Sequence, residues 1–347
     1  MSTMGEFVPK VTLADISREA GLGKATVSRA LAVEPHPDVS EETRARVKAV
    51  ADRLGYRPSV TARALRAGGY HAISAVIPDN AWGWWEPAVR AAFLEAGEHG
   101  YHVLAHAVAG RPGGAASVVE DLANVPTEGI LLFGSSNDTA VLRAANALRL
   151  PTVAIDDVND EVRVPTITVD NVAGAYQATT YLIQSGRRRI AYLGSGAKST
   201  LFERDRLAGY KKALAEHGLE VDPELVVYDT AWKWDDGETP SRSAPIEYLV
   251  DRGISFDAVF CEFDMIAAPA LRSLRRAGLS VPADVAIVGF DDDLAAQLLD
   301  PQLTTIRQPY ERMGRNAVRK LLAAIGGERL QPTRELEAPE LIRRESA

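Results

Sequence analysis

The densest group of chemically suggestive side chains in this 347-residue sequence lies near its start. Lys24-Ala25-Thr26-Val27-Ser28-Arg29 gathers two cations, a small methyl and two hydroxyls within one short stretch. On a helix, Val27 and Leu31 turn inward at i, i+4 and leave Lys24, Ala25, Thr26, Ser28 and Arg29 facing out. Arg and Lys donate to guanine O6 and N7, and an alanine methyl can meet a thymine methyl. Thr and Ser hydroxyls suit phosphate oxygens. Catalytic chemistry has less footing. Gly194-Ser195-Gly196-Ala197-Lys198-Ser199 lacks the Gly-x-x-x-x-Gly-Lys-Ser/Thr spacing that wraps backbone amides around a phosphate. No Ser, His and Asp fall together in a motif, and His102 and His106 lie too far apart along a strand to share a metal easily. No catalytic residue, metal ligand or cofactor is expected.

These outward residues need elements to hold them. Thr12 is a good N-cap for a helix from Leu13 to about Ala20, with Asp15 in its first turn. Leu13, Ile16 and Ala20 fall on one face, Gly21 permits a sharp turn, and a second short helix runs from Lys24 to about Leu31. Two helices joined by a tight glycine-containing turn have helix-turn-helix spacing. A small helical hairpin with a merely polar face fits the pattern equally well. Ser40 caps a third helix with Glu41 and Glu42 at its positive end, a buried stripe of Val47, Val50 and Leu54, and Gly55 as its stop. Arg57 to Arg66 is a short helix candidate starting near Pro58, too short to be stable alone. Ala67-Gly68-Gly69 then reads as a linker.

Further on, apolar runs alternate with helical stretches. Ile73–Ile77, Val103–Ala107, Gly129–Phe133, Thr152–Ile155, Arg189–Leu193, Ala258–Cys261 and Val285–Gly289 read as strands. Trp85–His99, Gly174–Ser185, Asp205–His217 and Ile266–Ala277 read as helices. The alternation predicts parallel sheets with helices on both faces, in a stretch long enough for two lobes. Ligands in such folds collect outside the carboxyl ends of the strands.

Composition bounds the rest. With 46% hydrophobic and 25% charged residues the chain reads as soluble and globular, and no apolar stretch is long enough to span a bilayer. The first residues have no apolar signal-peptide core, and the single cysteine, Cys261, cannot form an internal disulfide. A cytoplasmic protein is expected. The overall charge of −8 argues against nucleic acid, but residues 1–66 carry a net +3 and the remainder −11. A weakly basic head on an acidic body suits a DNA-contacting module fused to a soluble sensor.

VTLADISREAGLGKATVSRAL, VSEETRARVKAVADRLGYRPS and ARALRAG, in that order, resemble the head of the lac/galactose repressor family. VDNVAGAYQATTYLIQSGRRRIAYLG, ERDRLAGYKKALAEHG, DMIAAPALRSLRRAGLSVPADVAIVGFDD and PQLTTIRQPYERMGRNAV are similar to that family's sensor domain. The resemblance implies an all-α helix-turn-helix head (8–57), a hinge helix and linker (58–69) and a two-lobed α/β sensor like the periplasmic binding proteins (70–347). Two Rossmann-like parallel sheets and three crossovers are expected, with lobe one at about 70–167 and 300–326 and lobe two at about 168–299 and 327–347. It implies major-groove reading by Lys24, Ala25 and Arg29, and a DNA-contacting set completed by Thr12, Thr26, Ser28, Arg63 and Leu65. Leu65 matches the leucine that wedges into the minor groove beside its dimer mate. Arg206 matches the arginine that takes effector hydroxyls, Asp291 the opposing carboxylate and Asp156 the aspartate after a lobe-one strand. A guanidinium fork facing carboxylates supplies paired donors and acceptors for vicinal hydroxyls.

Departures from the family pattern mark where this chain is particular. Gly23 stands where a capping Ser is usual. Trp82-Gly83-Trp84-Trp85 replaces a phenylalanine-bearing segment, so Trp82, Trp84 and Trp85 are candidates to stack on a sugar face. Phe263 replaces an Asn, Asp157 an Arg, Glu262 adds a carboxylate, and Trp232 and Trp234 occupy a long loop where a stacking aromatic is common. Four carboxylates, Asp156, Asp157, Glu262 and Asp291, against Arg206 predict a neutral sugar or glycoside as effector. Pro332 and Pro339 interrupt the tail, and its leucines do not sustain heptads, so a homodimer on pseudo-palindromic operator DNA is expected, not a tetramer. An enzyme and a free-standing binding protein are the competing classes. The missing catalytic motifs disfavour the first, and the head disfavours the second.

Overall fold

The computed structural model describes residues 11–32, 35–56, 69–78, 85–108, 110–134, 138–156, 162–196, 200–228 and 245–347. The chain divides into two compact units, residues 1–70 and 71–347.

The first unit holds three helices, α1 (Leu13–Ala20), α2 (Lys24–Ala30) and α3 (Glu41–Arg53). Their shared core is Ile16, Ala20, Val27, Ala30, Val39, Val47, Val50 and Ala51, with Leu31 and Leu54 packed against it. The α1–α2 turn works because Gly21 adopts φ 61, where a Cβ would be strained. The Ser17 hydroxyl donates to the Leu22 carbonyl at 2.6 Å and ties the turn down. Gly23 begins α2 without a side-chain cap, whereas the Ser40 hydroxyl accepts the Thr43 N–H at the start of α3. Arg53 reaches back to Glu19 at 2.6 Å and links α3 to α1.

The second unit is built on two six-stranded sheets. The first contains β1 (Ala72–Ile77), β2 (His102–Ala107), β3 (Ile130–Phe133), β4 (Thr152–Ile155), β5 (Thr166–Val169) and β11 (Arg334–Glu337). Its order is β11-β5-β4-β3-β1-β2, and every pairing is parallel. The second contains β6 (Ile190–Gly194), β7 (Val226–Tyr228), β8 (Ala258–Cys261), β9 (Ala286–Asp291), β10 (Thr304–Arg307) and β12 (Glu340–Ile342). Its order is β12-β10-β9-β8-β6-β7, parallel except for β12 against β10. Separate apolar cores cover both faces of each sheet. Double coverage is why β1, β3, β6 and β8 are buried at every position.

In the first lobe, α4 (Glu86–Glu98) packs beside α12 (Tyr310–Ile325), while α5 (Gly114–Asp121) and α6 (Thr139–Leu148) cover the other face. Gly314 sits where α12 crosses α4, and a Cβ there would run into the Ala88 carbonyl oxygen. In the second lobe, α7 (Asn171–Gln184) lies against α8 (Leu201–Glu216). The opposite face carries α9 (Ile246–Asp251), α10 (Asp264–Arg276) and α11 (Leu294–Leu298).

Three chain crossings join the lobes, and their positions correct the expected division. Thr304–Arg307 pairs with β9, so residues 300–307 belong to lobe two and the crossing falls near Gln308-Pro309. Arg334–Glu337 pairs with β5, so that part of the tail belongs to lobe one and the last crossing lies between β11 and β12. The first crossing follows β5, which runs to Val169. Sheet pairing decides all three, and it cannot be read from apolar runs alone.

Candidate functional site

The exposed face of α2 carries the head's candidate contacts. Lys24, Ala25 and Arg29 are exposed, and Thr26 and Ser28 are half-exposed, because Val27 and Ala30 take the inward positions. Thr12 is exposed at the start of α1, where its N–H and hydroxyl both donate to the Asp15 carboxylate at 2.9 and 2.7 Å. The Thr12 hydroxyl bond, with the backbone bond behind it, holds the Asp15 carboxyl below its usual range. The Arg29 guanidinium stands 3.5 Å from the Asp38 carboxylate, supplied by the turn before α3. Arg63 and Leu65, with the expected hinge helix, lie outside the described residues.

The second site forms where strands of both lobes end. Arg206 projects from α8 and is only 3% exposed. Its Nε donates to Asn171 Oδ1 at 2.8 Å and its Nη1 to the Glu262 carbonyl at 2.6 Å. Its Nη2 stands 3.7 Å from Asp291 Oδ1. The guanidinium lies over the Phe290 ring at 3.6 Å, with Phe263 at 4.9 Å and Phe202 at 5.6 Å. A planar, weakly hydrated cation tolerates such an aromatic cage.

Asp291 closes β9 with φ 119, followed by Asp292 at φ 56. Asp156 stands immediately after β4 of the other lobe at φ 63. Non-glycine residues rarely hold such angles, and strain of this kind collects at functional sites. Asp156 Oδ1 accepts the Thr168 hydroxyl at 2.7 Å, and Asp291 Oδ1 accepts from Gln308 Nε2 at 2.6 Å, at a crossing between the lobes. Burial pushes the Asp291 carboxyl up to about 7, against Arg206 and Gln308, which favour its charged form. Asp156 adds to that upward shift, so the carboxylates of the two lobes sense each other. Strand ends of both lobes thus converge on one crevice, as ligand sites in open α/β sheets do.

Several expectations change here. Trp85 is a core residue, not a free stacking face: it packs on Phe133 at 5.5 Å and is 7% exposed, with Gly134 leaving room for its ring. Phe263 is buried against Phe202 and Arg206, where the expected loss of an amide is balanced by an aromatic wall. Glu262 is fully buried and its Oε2 accepts the Ser195 N–H at 2.6 Å, so it does not present an exposed carboxylate. Burial pushes its carboxyl up to about 8 despite Arg206 and that N–H. Arg187, Arg188 and Arg189 sit at the amino end of β6, on backbone carbonyls or Asp222, away from the crevice. Trp82, Trp84, Asp157, Trp232 and Trp234 lie outside the described residues. The crevice also holds Asn171, Phe202, Phe290 and Gln308, which no motif in the sequence singled out. Asn171, Phe290 and Gln308 stand inside the strings that resemble the family's sensor domain, which was the signal available for them. Among the described residues no group of three or more His, Cys, Asp or Glu could hold a metal, and no helix is long and apolar enough to cross a membrane.

A helix-turn-helix head and a bilobed α/β body with a polar crevice at its strand ends define the class of ligand-responsive DNA-binding regulators. Residues 12–59 match the bacterial regulatory proteins of the lacI family, and residues 179–347 match the periplasmic binding protein-like domain. The HTH-type transcriptional regulator CelR of Thermobifida fusca is 34% identical over 349 residues, covering 96% of this chain and 98% of the relative. Among solved structures, the lac repressor dimer bound to operator and the anti-inducer ONPF matches with TM-score 0.83 at 25% identity, over 97% of this chain and 99% of that one. A transcriptional regulator CelR–cellobiose complex matches with TM-score 0.69 at 31% identity, over 97% and 100%. The chain belongs to the lacI family: it is a DNA-binding transcriptional regulator.

Proposed function

We propose that the chain is a cytoplasmic repressor of carbohydrate-utilisation genes. In this reading a homodimer binds a pseudo-palindromic operator, and a neutral sugar or glycoside between the lobes switches its affinity. Thr12, Lys24, Ala25, Thr26, Ser28 and Arg29 contact each half-site, and Arg63 and Leu65 act from the hinge at 58–69. The observation that carries the effector reading is the convergence of Arg206 and Asp291 from lobe two with Asp156 from lobe one. A ligand bridging them prefers one relative position of the lobes and so can shift an equilibrium between two. Gln308 supports this reading: it sits at the crossing, bonds Asp291, and keeps a buried Oε1 with no hydrogen-bond partner among the described residues.

A neutral ligand is favoured on grounds narrower than charge counting, since Glu262 is buried and Asp291 is held toward its neutral form. Arg206 already serves Asn171, the Glu262 carbonyl and Asp291, so a phosphate would have to displace internal partners. A sugar hydroxyl can donate to Asp156 or Asp291 without doing so. The cellobiose complex of a similar regulator agrees with this choice. For the dimer, the exposed apolar side chains on α11 (Leu294, Leu298) and α4 (Phe93, Leu94) are surface that a second copy could bury.

Thermal unfolding of the full chain with neutral mono- and disaccharides tests the effector. A true effector at 100 times its Kd should stabilise the body by about 2.7 kcal/mol, and Arg206→Ala should remove that response. Stabilisation by sugar phosphates alone would overturn the neutral-ligand reading.

A further inference from the structure

We propose that Asp38 is a specificity-setting residue of the DNA-reading head, holding Arg29 for a base edge and withholding it from phosphate. This rests on the reading of Arg29 as a base contact. Arg29 lies in the last turn of α2 on the face shared with Lys24 and Ala25, and the described partner of its guanidinium is the Asp38 carboxylate at 3.5 Å. Both side chains are exposed, so the pair contributes little to stability. Its consequence is for recognition.

Asp38 is well placed to keep that position. Pro35 and Pro37 flank His36 and restrict the backbone leading to it. The Asp38 N–H donates to His36 Nδ1 at 3.2 Å, and the next two residues are anchored, Val39 in the head's core and Ser40 as the cap of α3. The carboxylate is thus delivered from a constrained turn onto the end of the recognition helix.

An arginine on such a helix has two competing uses. It can fork onto guanine O6 and N7, or fall onto any phosphate within reach. A neighbouring carboxylate changes the balance. It repels phosphate and cancels the long-range attraction of Arg29, lowering affinity for DNA of any sequence. A guanidinium has five N–H donors in one plane, so one edge can stay with Asp38 while another meets the base. The fork is then oriented in advance, and a wrong base leaves it unpaired. Asp38 should therefore weaken general DNA binding and sharpen discrimination at the base pair that Arg29 reads.

The test uses the full chain, an operator duplex recovered by selection from random sequence, its single-base variants, and a random duplex of equal length. Asp38→Asn should tighten binding to the random duplex about fivefold near 0.1 M salt and steepen its log–log salt slope by about 0.9. It should also flatten the preference at one base pair per half-site. Asp38→Ala should behave alike, with thermal unfolding confirming a folded head. In an Arg29→Ala background the effect of Asp38→Asn on base preference should vanish. Base preference unchanged in Asp38→Asn, or changed equally with and without Arg29, would overturn the proposal. Arg29→Ala with every base preference intact would instead remove the underlying reading of Arg29, a separately visible result.

Discussion

Burial raises the Glu262 carboxyl to about 8 because it has left water, and Arg206 and the Ser195 N–H recover only part of the cost of ionising it. An acid whose folded pKa lies above its ordinary value of about 4.5 holds its proton more tightly in the folded state. Its favourable contribution is therefore complete below about pH 4.5 and is lost as pH rises through about 8. Glu262→Gln keeps the carbonyl that accepts from Ser195 and cannot ionise. In urea titrations its stability relative to wild type should climb between pH 5 and 9, reaching the order of a few kcal/mol. A difference independent of pH would contradict the burial account. This residue also shows where sequence reading stops. Arg206 and Asp291 could be picked out because they stand in strings that resemble a known family, and Asp156 because it follows a readable strand. Whether Glu262 or Trp85 faces crevice or core depends on which way one side chain turns, and residue type alone does not say.

At the scale of elements, the crossing of α12 over α4 sets how lobe one continues from the chain crossing at Gln308-Pro309. Two effects of opposite sign meet at Gly314. Helix propensity favours alanine there by about 1 kcal/mol, whereas the contact of a new Cβ with the Ala88 carbonyl demands that the helices part. Overpacking against backbone costs about 1–3 kcal/mol, so Gly314→Ala should lower the unfolding midpoint. A neutral or raised midpoint would show that the helices have room to separate. β1, β3, β4, β6, β8 and β9 were readable as apolar runs because they are covered on both faces. β5, β7, β10, β11 and β12 were not, because each has four or fewer residues, most carry polar positions, and their places are set by pairing with other strands. That is why the expected lobe boundaries missed the sheet to which 304–307 and 334–337 belong. The helices of the head were legible almost to the residue, since caps, turn glycine and apolar stripe agreed.

The whole molecule joins a DNA-reading unit to a ligand-clamping one, and the proposal depends on communication between them. A symmetric operator requires a symmetric protein, so light scattering at micromolar concentration should give a dimer. A stable tetramer would contradict the reading of the proline-interrupted tail. The most direct test is fluorescence anisotropy of the full chain on an operator duplex recovered by selection, titrated with neutral mono- and disaccharides at fixed salt. The account predicts that at least one sugar changes operator affinity fivefold or more, consistent with a coupling of about 1–3 kcal/mol, and that Arg206→Ala abolishes the change. Operator affinity indifferent to every neutral sugar, or a sugar response that survives Arg206→Ala, would contradict it.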